Sequence, residues 1–244
     1  MAVAYPARPP HEVGPLRSAP LSGVPSRQRV VGSHGRKTAR RLLEAALAEF
    51  DEQGFHAVSV ADVARRARTS HGTFYSYFSN KEDLFKALMR DTLHDMKIIA
   101  ADFPVVSGDD AGRAALRAWV QRFAETYAAH AVVIRVLSHA DIVGEAIWGD
   151  GLGALLQLAE AITTGMIPGC RDGCEQSDED RLAQHGELTA LACVMMLERV
   201  NYLISIGVKL PEHEMADRLS EIIYAAFRPA QRACRSASSP PSVP

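Results

Sequence analysis

Between Thr38 and Phe85 helical apolar spacing starts four times, and two of the four runs are too short to stand alone as helices. Ala39, Leu42, Leu43, Ala46, Leu47 and Phe50 fall at i, i+3, i+4, i+7, i+8 and i+11, one face of an amphipathic helix. Gly54 stands just past its end, where a left-handed residue closes a helix. Ser59-Val60-Ala61-Asp62 opens the next run: a serine cap with an acid three residues on, close to a capping box. Val60, Val63, Ala64 and Ala67 form its short stripe. Thr69 or Ser70 can cap a third run carrying Phe74, Tyr75 and Phe78. Lys81-Glu82-Asp83-Leu84 opens a longer helix, with Leu84, Leu88, Thr92, Met96 and Ile99 on one side. Helices this short are stabilised by packing on each other, so these runs predict a small bundle.

The third run sets a second constraint. Phe74, Tyr75, Tyr77 and Phe78 crowd into five positions of a chain that is 7% aromatic. Successive helical positions are about 100° apart, so four such rings cannot share one core. Phe74 and Phe78, at i and i+4, take the buried side; Tyr75 and Tyr77 point elsewhere. Two short helices joined near Ala67-Arg68-Thr69-Ser70 fit a helix-turn-helix, whose second helix enters a DNA major groove. On that reading a tyrosine donates its hydroxyl to a phosphate oxygen, and Thr69, Ser70 and Thr73 are short donors for phosphates or base edges. Gly72 lets the duplex come close to the main chain, and Lys81 stands at a helix start, where backbone N–H groups favour an anion.

The charge distribution agrees. Net charge is −2, but residues 1–81 hold 12 lysines and arginines against six acids, and residues 82–244 hold 15 against 23. A basic first third suggests a polyanionic partner for that part. Residues 1–34, rich in Pro, Ser and Gly, read as a disordered tail, and so do residues 229–244. Residues 35–81 are the helix-turn-helix domain, and 82–228 a larger helical domain.

That larger domain reads as helix throughout. Leu116, Trp119, Val120, Phe123 and Tyr127 share a face; further segments cover roughly 131–141 and 151–166, the latter with Leu152, Leu155, Leu156, Ala159 and Ile162. A polar stretch from Pro168 through Asp180 reads as a loop. Residues 187–207 are apolar around much of their circumference, which predicts burial on more than one side. A last helix over 213–227 turns Leu219, Ile222, Ile223, Ala226 and Phe227 inward. No strand run and no internal repeat stand out, and the expected fold class is all-α.

Here a family resemblance enters. Residues 38–85 resemble the DNA-binding domain of TetR-family transcriptional regulators, best over "AALAEFDEQGFHAVSVADVARRARTSHGTFYSYFSNKEDLF". Phe50, Gly54-Phe55, Ser59-Val60, Asp62-Val63-Ala64, Gly72-Thr73-Phe74-Tyr75, Tyr77-Phe78 and Asn80-Lys81-Glu82 carry it at fixed spacing. The family often has glycine in the turn where this chain has Arg68. The resemblance implies DNA contacts from Thr73, Tyr75, Tyr77 and Lys81, with Arg68, Thr69, Ser70 and His71 in the corner that varies with the operator. It implies a homodimer formed by the last two helices, near 187–207 and 213–227, and a small-molecule pocket in the C-terminal domain.

For that pocket the sequence offers Trp119, Phe123, Tyr127, Trp148, Met195, Met196 and Tyr202, with Asn201 and His139 as polar anchors. The effector would be apolar or aromatic. The function expected is a ligand-responsive regulator, a repressor released from a palindromic operator by its effector. The alternatives are an all-α small-molecule-binding enzyme or carrier, or a ligand-independent architectural DNA-binding protein. An enzyme is not expected: there is no phosphate-binding glycine loop, no nucleophile elbow and no cofactor motif. His130, His139 and Asp141 form no metal signature. Cys170 and Cys174 are four apart rather than C-x-x-C. Without an uninterrupted apolar run near 20 residues or an apolar leader, a cytoplasmic protein is expected, with no membrane partner.

Overall fold

The computed structural model describes residues 33–138, 145–167 and 176–237. Among them the chain is all-α, as the sequence predicts: α1 (Ser33–Gln53), α2 (Val60–Arg66), α3 (His71–Tyr75), α4 (Lys81–Ala101), α5 (Asp110–Ala129), α6 (Ala131–Leu137), α7 (Glu145–Met166), α8 (Gln176–Ser205) and α9 (Glu212–Ala237). The helices divide between two compact units. One holds α1 to α3, α4 as far as Asp95, α6 and the start of α7; the other holds the end of α4, most of α5, the rest of α7, α8 and α9.

In the first unit a single apolar cluster joins α1 (Leu42, Leu43, Ala46, Leu47, Phe50), Phe55, Val58, α2 (Val63), Phe74, Phe78, α4 (Leu84, Phe85, Leu88) and α6 (Val133, Val136). The short α2 and α3 are therefore held by tertiary packing, as their length requires. Phe50, Phe55 and Phe85 meet as a ring cluster, with centroids 5.1, 5.4 and 6.3 Å apart. Gly54 closes α1 at φ +80°, its N–H on the Phe50 carbonyl. His130, just before α6, ties that helix to α4: Nε2 lies 2.9 Å from Asp95 Oδ2, and Nδ1 lies 3.0 Å from Thr92 Oγ1.

In the second unit a column of rings runs Phe103, Trp119, Phe123, Tyr127, with centroids 4.7, 5.6 and 6.2 Å apart, the first pair edge-on and the other two tilted. Trp119 Nε1 donates to the Ile99 carbonyl at 3.0 Å, so its one polar atom is satisfied inside the core. Gly165 lets the chain after α4 lie against α7: a Cβ there would meet the Phe103 ring and the Pro104 carbonyl, each at 2.4 Å. The Val106 N–H donates to the Gly165 carbonyl at 2.8 Å.

Several boundaries and faces differ from the sequence reading. α1 begins at Ser33, inside the segment read as tail; the rest of that tail lies outside the described residues. α8 begins at Gln176, within the stretch read as loop. Its first turns are polar and carry no periodic apolar signal to read. α9 runs through Pro229 to Ala237, where a tail had been expected. Proline removes the bond to the Ala225 carbonyl, but both residues are exposed, so water can take that oxygen. Past the proline, buried Gln231 donates to the Met166 carbonyl at 2.8 Å and holds α9 to the end of α7. Residues 168–175, with Cys170 and Cys174, and also His139, lie outside the described residues.

α8 is not buried on several sides. Ala190, Val194, Leu197 and Asn201 are buried, whereas Leu188 and Met195 are 70% and 45% exposed. Ile222 on α9, read as inward, is 51% exposed, and Ala226 is exposed beside it. Gly186–Ser205 is long and apolar enough to cross a membrane by length and composition alone. It includes Glu187, Glu198 and Arg199, and one face of it packs in the unit's core.

Candidate nucleic-acid interface

The helix-turn-helix is built from interlocking caps. Ser59 caps α2: its Oγ accepts from the Asp62 N–H at 3.3 Å, and Asp62 Oδ2 accepts from the Ser59 N–H at 3.0 Å, a complete capping box. Arg65 adds a 2.6 Å contact to Asp62 Oδ1. The Ser59 hydroxyl and N–H, with Arg65, hold the Asp62 carboxyl down at about 2. A depressed folded-state value stabilises the fold above the unfolded value near 4, and this stabilisation is lost as pH falls through about 2. We expect Asp62→Asn to lower the denaturant midpoint at pH 7, with the gap to wild type closing on acidification toward pH 2. A gap constant over that range would remove Asp62 from the acid response.

The turn ends α2 as a Schellman motif. Thr69 N–H reaches the Ala64 carbonyl at 3.0 Å and Arg68 N–H the Arg65 carbonyl at 3.1 Å. That geometry needs a left-handed residue, and Arg68 supplies it at φ +52°, the one non-glycine with positive φ among the described residues. So the turn that family members often make with glycine is made here with arginine at the same conformation. We expect Arg68→Gly to stabilise the DNA-free chain by about 0.5–1 kcal/mol, strain relief exceeding the added unfolded-state entropy. Arg68→Val should destabilise it, and urea denaturation of the two variants measures both signs.

α3 then presents two faces. Phe74 and Phe78 are buried and 5.8 Å apart. Tyr75 is 51% exposed, its ring edge-on to His71 at 5.3 Å and Phe74 at 5.5 Å. Tyr77 is half-buried against the apolar cluster. Ser70 caps the helix, accepting the Thr73 N–H at 3.1 Å, and the two hydroxyls lie 2.8 Å apart. One hydroxyl proton is therefore shared within the pair, and the other is left to point outward. Gly72 is exposed, and a Cβ there would meet only Ser70 Oγ at 3.9 Å, so the fold itself does not require glycine. Arg68, Ser70, His71, Gly72 and Tyr75 are all exposed, with Thr69 and Thr73 half-exposed between them.

Lys81 is placed otherwise than its spacing suggests. Its Nζ donates to the carbonyls of Phe55 at 2.6 Å, Val58 at 2.8 Å and His56 at 3.4 Å, and lies 4.5 Å from the Phe55 ring centroid. Desolvation pulls its pKa below the usual lysine value, opposed by the Glu82 charge. All three ammonium protons are engaged by the α1–α2 turn. Arg66 is likewise paired, with Glu52 and Glu49 of α1, and Arg135 of α6 pairs with Asp51. None of these partners could be read from local spacing, because the residues are 14 to 84 positions apart.

A scan of the sequence against family models matches residues 42–88 to bacterial regulatory proteins of the tetR family. The helix-turn-helix is that of the TetR family. Over 100 residues the chain is 31% identical to an HTH-type transcriptional repressor of Streptomyces coelicolor, covering 41% of this chain and 47% of that protein. It is 39% identical over 88 residues to the HTH-type transcriptional regulator BetI of Burkholderia thailandensis, covering 35% and 45%. It is 26% identical over 129 residues to the A-factor receptor protein of Streptomyces griseus, covering 51% and 44%. The chain thus spans about half the length of these relatives. A TetR-family regulator structure from Streptomyces coelicolor superposes with a TM-score of 0.62 at 17% identity, covering 85% of this chain and 92% of that one, which extends the shared fold beyond the TetR-family domain.

Of the residues expected to line an effector pocket, Trp119, Phe123 and Tyr127 lie on α5, Trp148 on α7, and Met195, Asn201 and Tyr202 on α8. Trp119, Phe123 and Tyr127 stack in the core column, and Tyr127 donates to Glu198 Oε1 at 3.2 Å. Asn201 is buried and donates to the Leu197 carbonyl of its own helix at 2.8 Å. Met195 faces outward, and Tyr202 is half-buried under Arg199, 4.9 Å from its ring. Trp148 lies on α7, its side chain outside the described residues.

Proposed function

We propose that this chain is a DNA-binding transcriptional repressor that reads a palindromic operator as a homodimer and is released by a small apolar or aromatic effector. The observation that carries the reading is the exposed Ser70–Thr73–Tyr75 surface, backed by buried Phe74 and Phe78 on a TetR-family helix-turn-helix. Thr73 and Ser70 present a hydroxyl donor, Tyr75 an oriented ring and phenol, and Gly72 a bare stretch of main chain to the groove. Arg68, Thr69 and His71 flank them, and Tyr77 contacts the backbone from a half-buried position. Lys81 serves this surface from behind, by fixing the turn ahead of α2.

The effector acts through the second unit. A molecule that binds the DNA-free form better than the DNA-bound form lowers operator affinity by linkage. A relative named as a repressor and another named as a receptor support both halves of this reading. The protein acts in the cytoplasm, where the chromosome is, and without catalysing a reaction.

Selection of binding sites from a random duplex library with the purified protein tests it. A palindrome should emerge, and its enrichment should be lost in the double variant Thr73→Ala with Tyr75→Phe. Recovery of no preferred sequence at low salt would refute the reading.

A further inference from the structure

α1 is charged against its own helix dipole. Arg36, Lys37, Arg40 and Arg41 lie in its first turns, while Glu49, Asp51 and Glu52 lie near its end. No acid stands in the first turn and no base in the last. Helix stability favours the reverse arrangement, so it does not account for this basic start. The acids at the far end have intramolecular partners: Glu49 and Glu52 hold Arg66, and Asp51 holds Arg135. Lys37, Arg40, Arg41 and Glu44, at i, i+3, i+4 and i+7, line an open groove of about 440 Å³ together with Thr38. Among the described residues Glu44 is the one acid in the groove's lining, and it pairs with Arg40 at 2.7 Å. Lys37 and Arg41 are exposed, and among the described residues the Arg41 guanidinium reaches one hydroxyl, Thr38 Oγ1, at 3.4 Å.

Of the cations nearer the recognition helix, Arg68 is exposed in the turn and three others are engaged. Arg65 pairs with Asp62, Arg66 with Glu49 and Glu52, and Lys81 with three carbonyls. A regulator whose affinity rests on phosphate neutralisation needs cations that face outward. The basic groove belongs to the same compact unit as α3.

We infer that Lys37 and Arg41, on the first turns of α1, carry phosphate contacts to the operator duplex, and that Lys81 does not. The inference rests on the DNA-binding reading above. Backbone contacts of this kind set affinity and its salt dependence without reading sequence.

The test is the salt dependence of affinity, measured on the selected palindrome and on a mixed-sequence duplex. Removing one cation from a phosphate lowers the slope of log K against log salt by about 0.9. The double variant Lys37→Ala with Arg41→Ala should reduce the slope by up to about 1.8 per protomer on both duplexes. Its preference for the palindrome and its melting temperature should stay at the wild-type values. Lys81→Met, assayed well below its own melting temperature, should keep the wild-type slope. A wild-type slope in the α1 double variant, or a slope lowered by about 0.9 in Lys81→Met, would overturn the inference while leaving the DNA-binding reading intact. Failure of the unsubstituted chain to bind either duplex would overturn both.

Discussion

Lys81→Met lowers the stability of the DNA-free chain by about 2–3 kcal/mol, an effect large for a partly exposed lysine. Three carbonyls of the α1–α2 turn, from Phe55, His56 and Val58, converge on one ammonium. A hydrogen bond from a charged donor contributes about 1.5–3 kcal/mol, and the sum is reduced here because the freed carbonyls of a half-buried turn regain some water. The contact with the Phe55 ring adds about 0.5–1 kcal/mol. Methionine keeps the apolar stem and removes only the donors. Lys81→Arg should recover only part of the loss, because a planar fork cannot fan three N–H groups from one nitrogen to three carbonyls as an ammonium does. Urea denaturation without DNA measures both variants. A loss under about 0.5 kcal/mol for Lys81→Met would mean that the turn holds without the clamp.

Lys81 also shows where sequence reading stops. Its position opening α4 is legible, and so is the local chemistry around it. The capping box at Ser59 and Asp62, the cap at Ser70 and the division of Phe74 and Phe78 from Tyr75 all follow from spacing, because each involves residues within four positions. The carbonyls that claim Lys81 lie 23 to 26 residues upstream and belong to main chain, which has no residue type to read. Side chains are no easier at that range: Arg66 and Arg135 look like solvated cations until the fold brings acids of α1 to them. Arg68 shows the converse. A left-handed turn position is filled by an arginine at φ +52°, since the Schellman bonds on either side determine the backbone. The extent of α9 was hidden for another reason. Proline is a strong stop signal in a sequence, but at Pro229 the orphaned carbonyl lies where water reaches it and Gln231 anchors the next turn.

The exposed faces of α8 and α9 give the other large effect. Leu188 and Met195 stand two turns apart on α8, and Ile222 on α9 is exposed beside Ala225 and Ala226. Gly207, at φ +96°, turns the chain between the helices, with Val208 N–H on the Leu203 carbonyl and Gly207 N–H on the Ile204 carbonyl. Both helices keep a separate buried face, with Val194 and Leu197 on α8 and Leu219, Ile223 and Phe227 on α9. The outer face is thus not needed for the unit's own core. Its apolar residues are those expected of a two-fold surface that meets its own copy. Met195→Glu with Ile222→Glu would bury four unpaired carboxylates per dimer, a cost of several kcal/mol. Within one protomer the same changes fall on exposed positions and should alter unfolding by no more than about 0.5 kcal/mol. The expected result is a folded monomer by sedimentation. Its affinity for the full palindrome should fall by ~10²-fold or more as binding to the second half-site ceases to be intramolecular, and its affinity for an isolated half-site should hold. A double variant that still sediments as a dimer would assign the interface to another face and leave Leu188, Met195 and Ile222 exposed for some other reason.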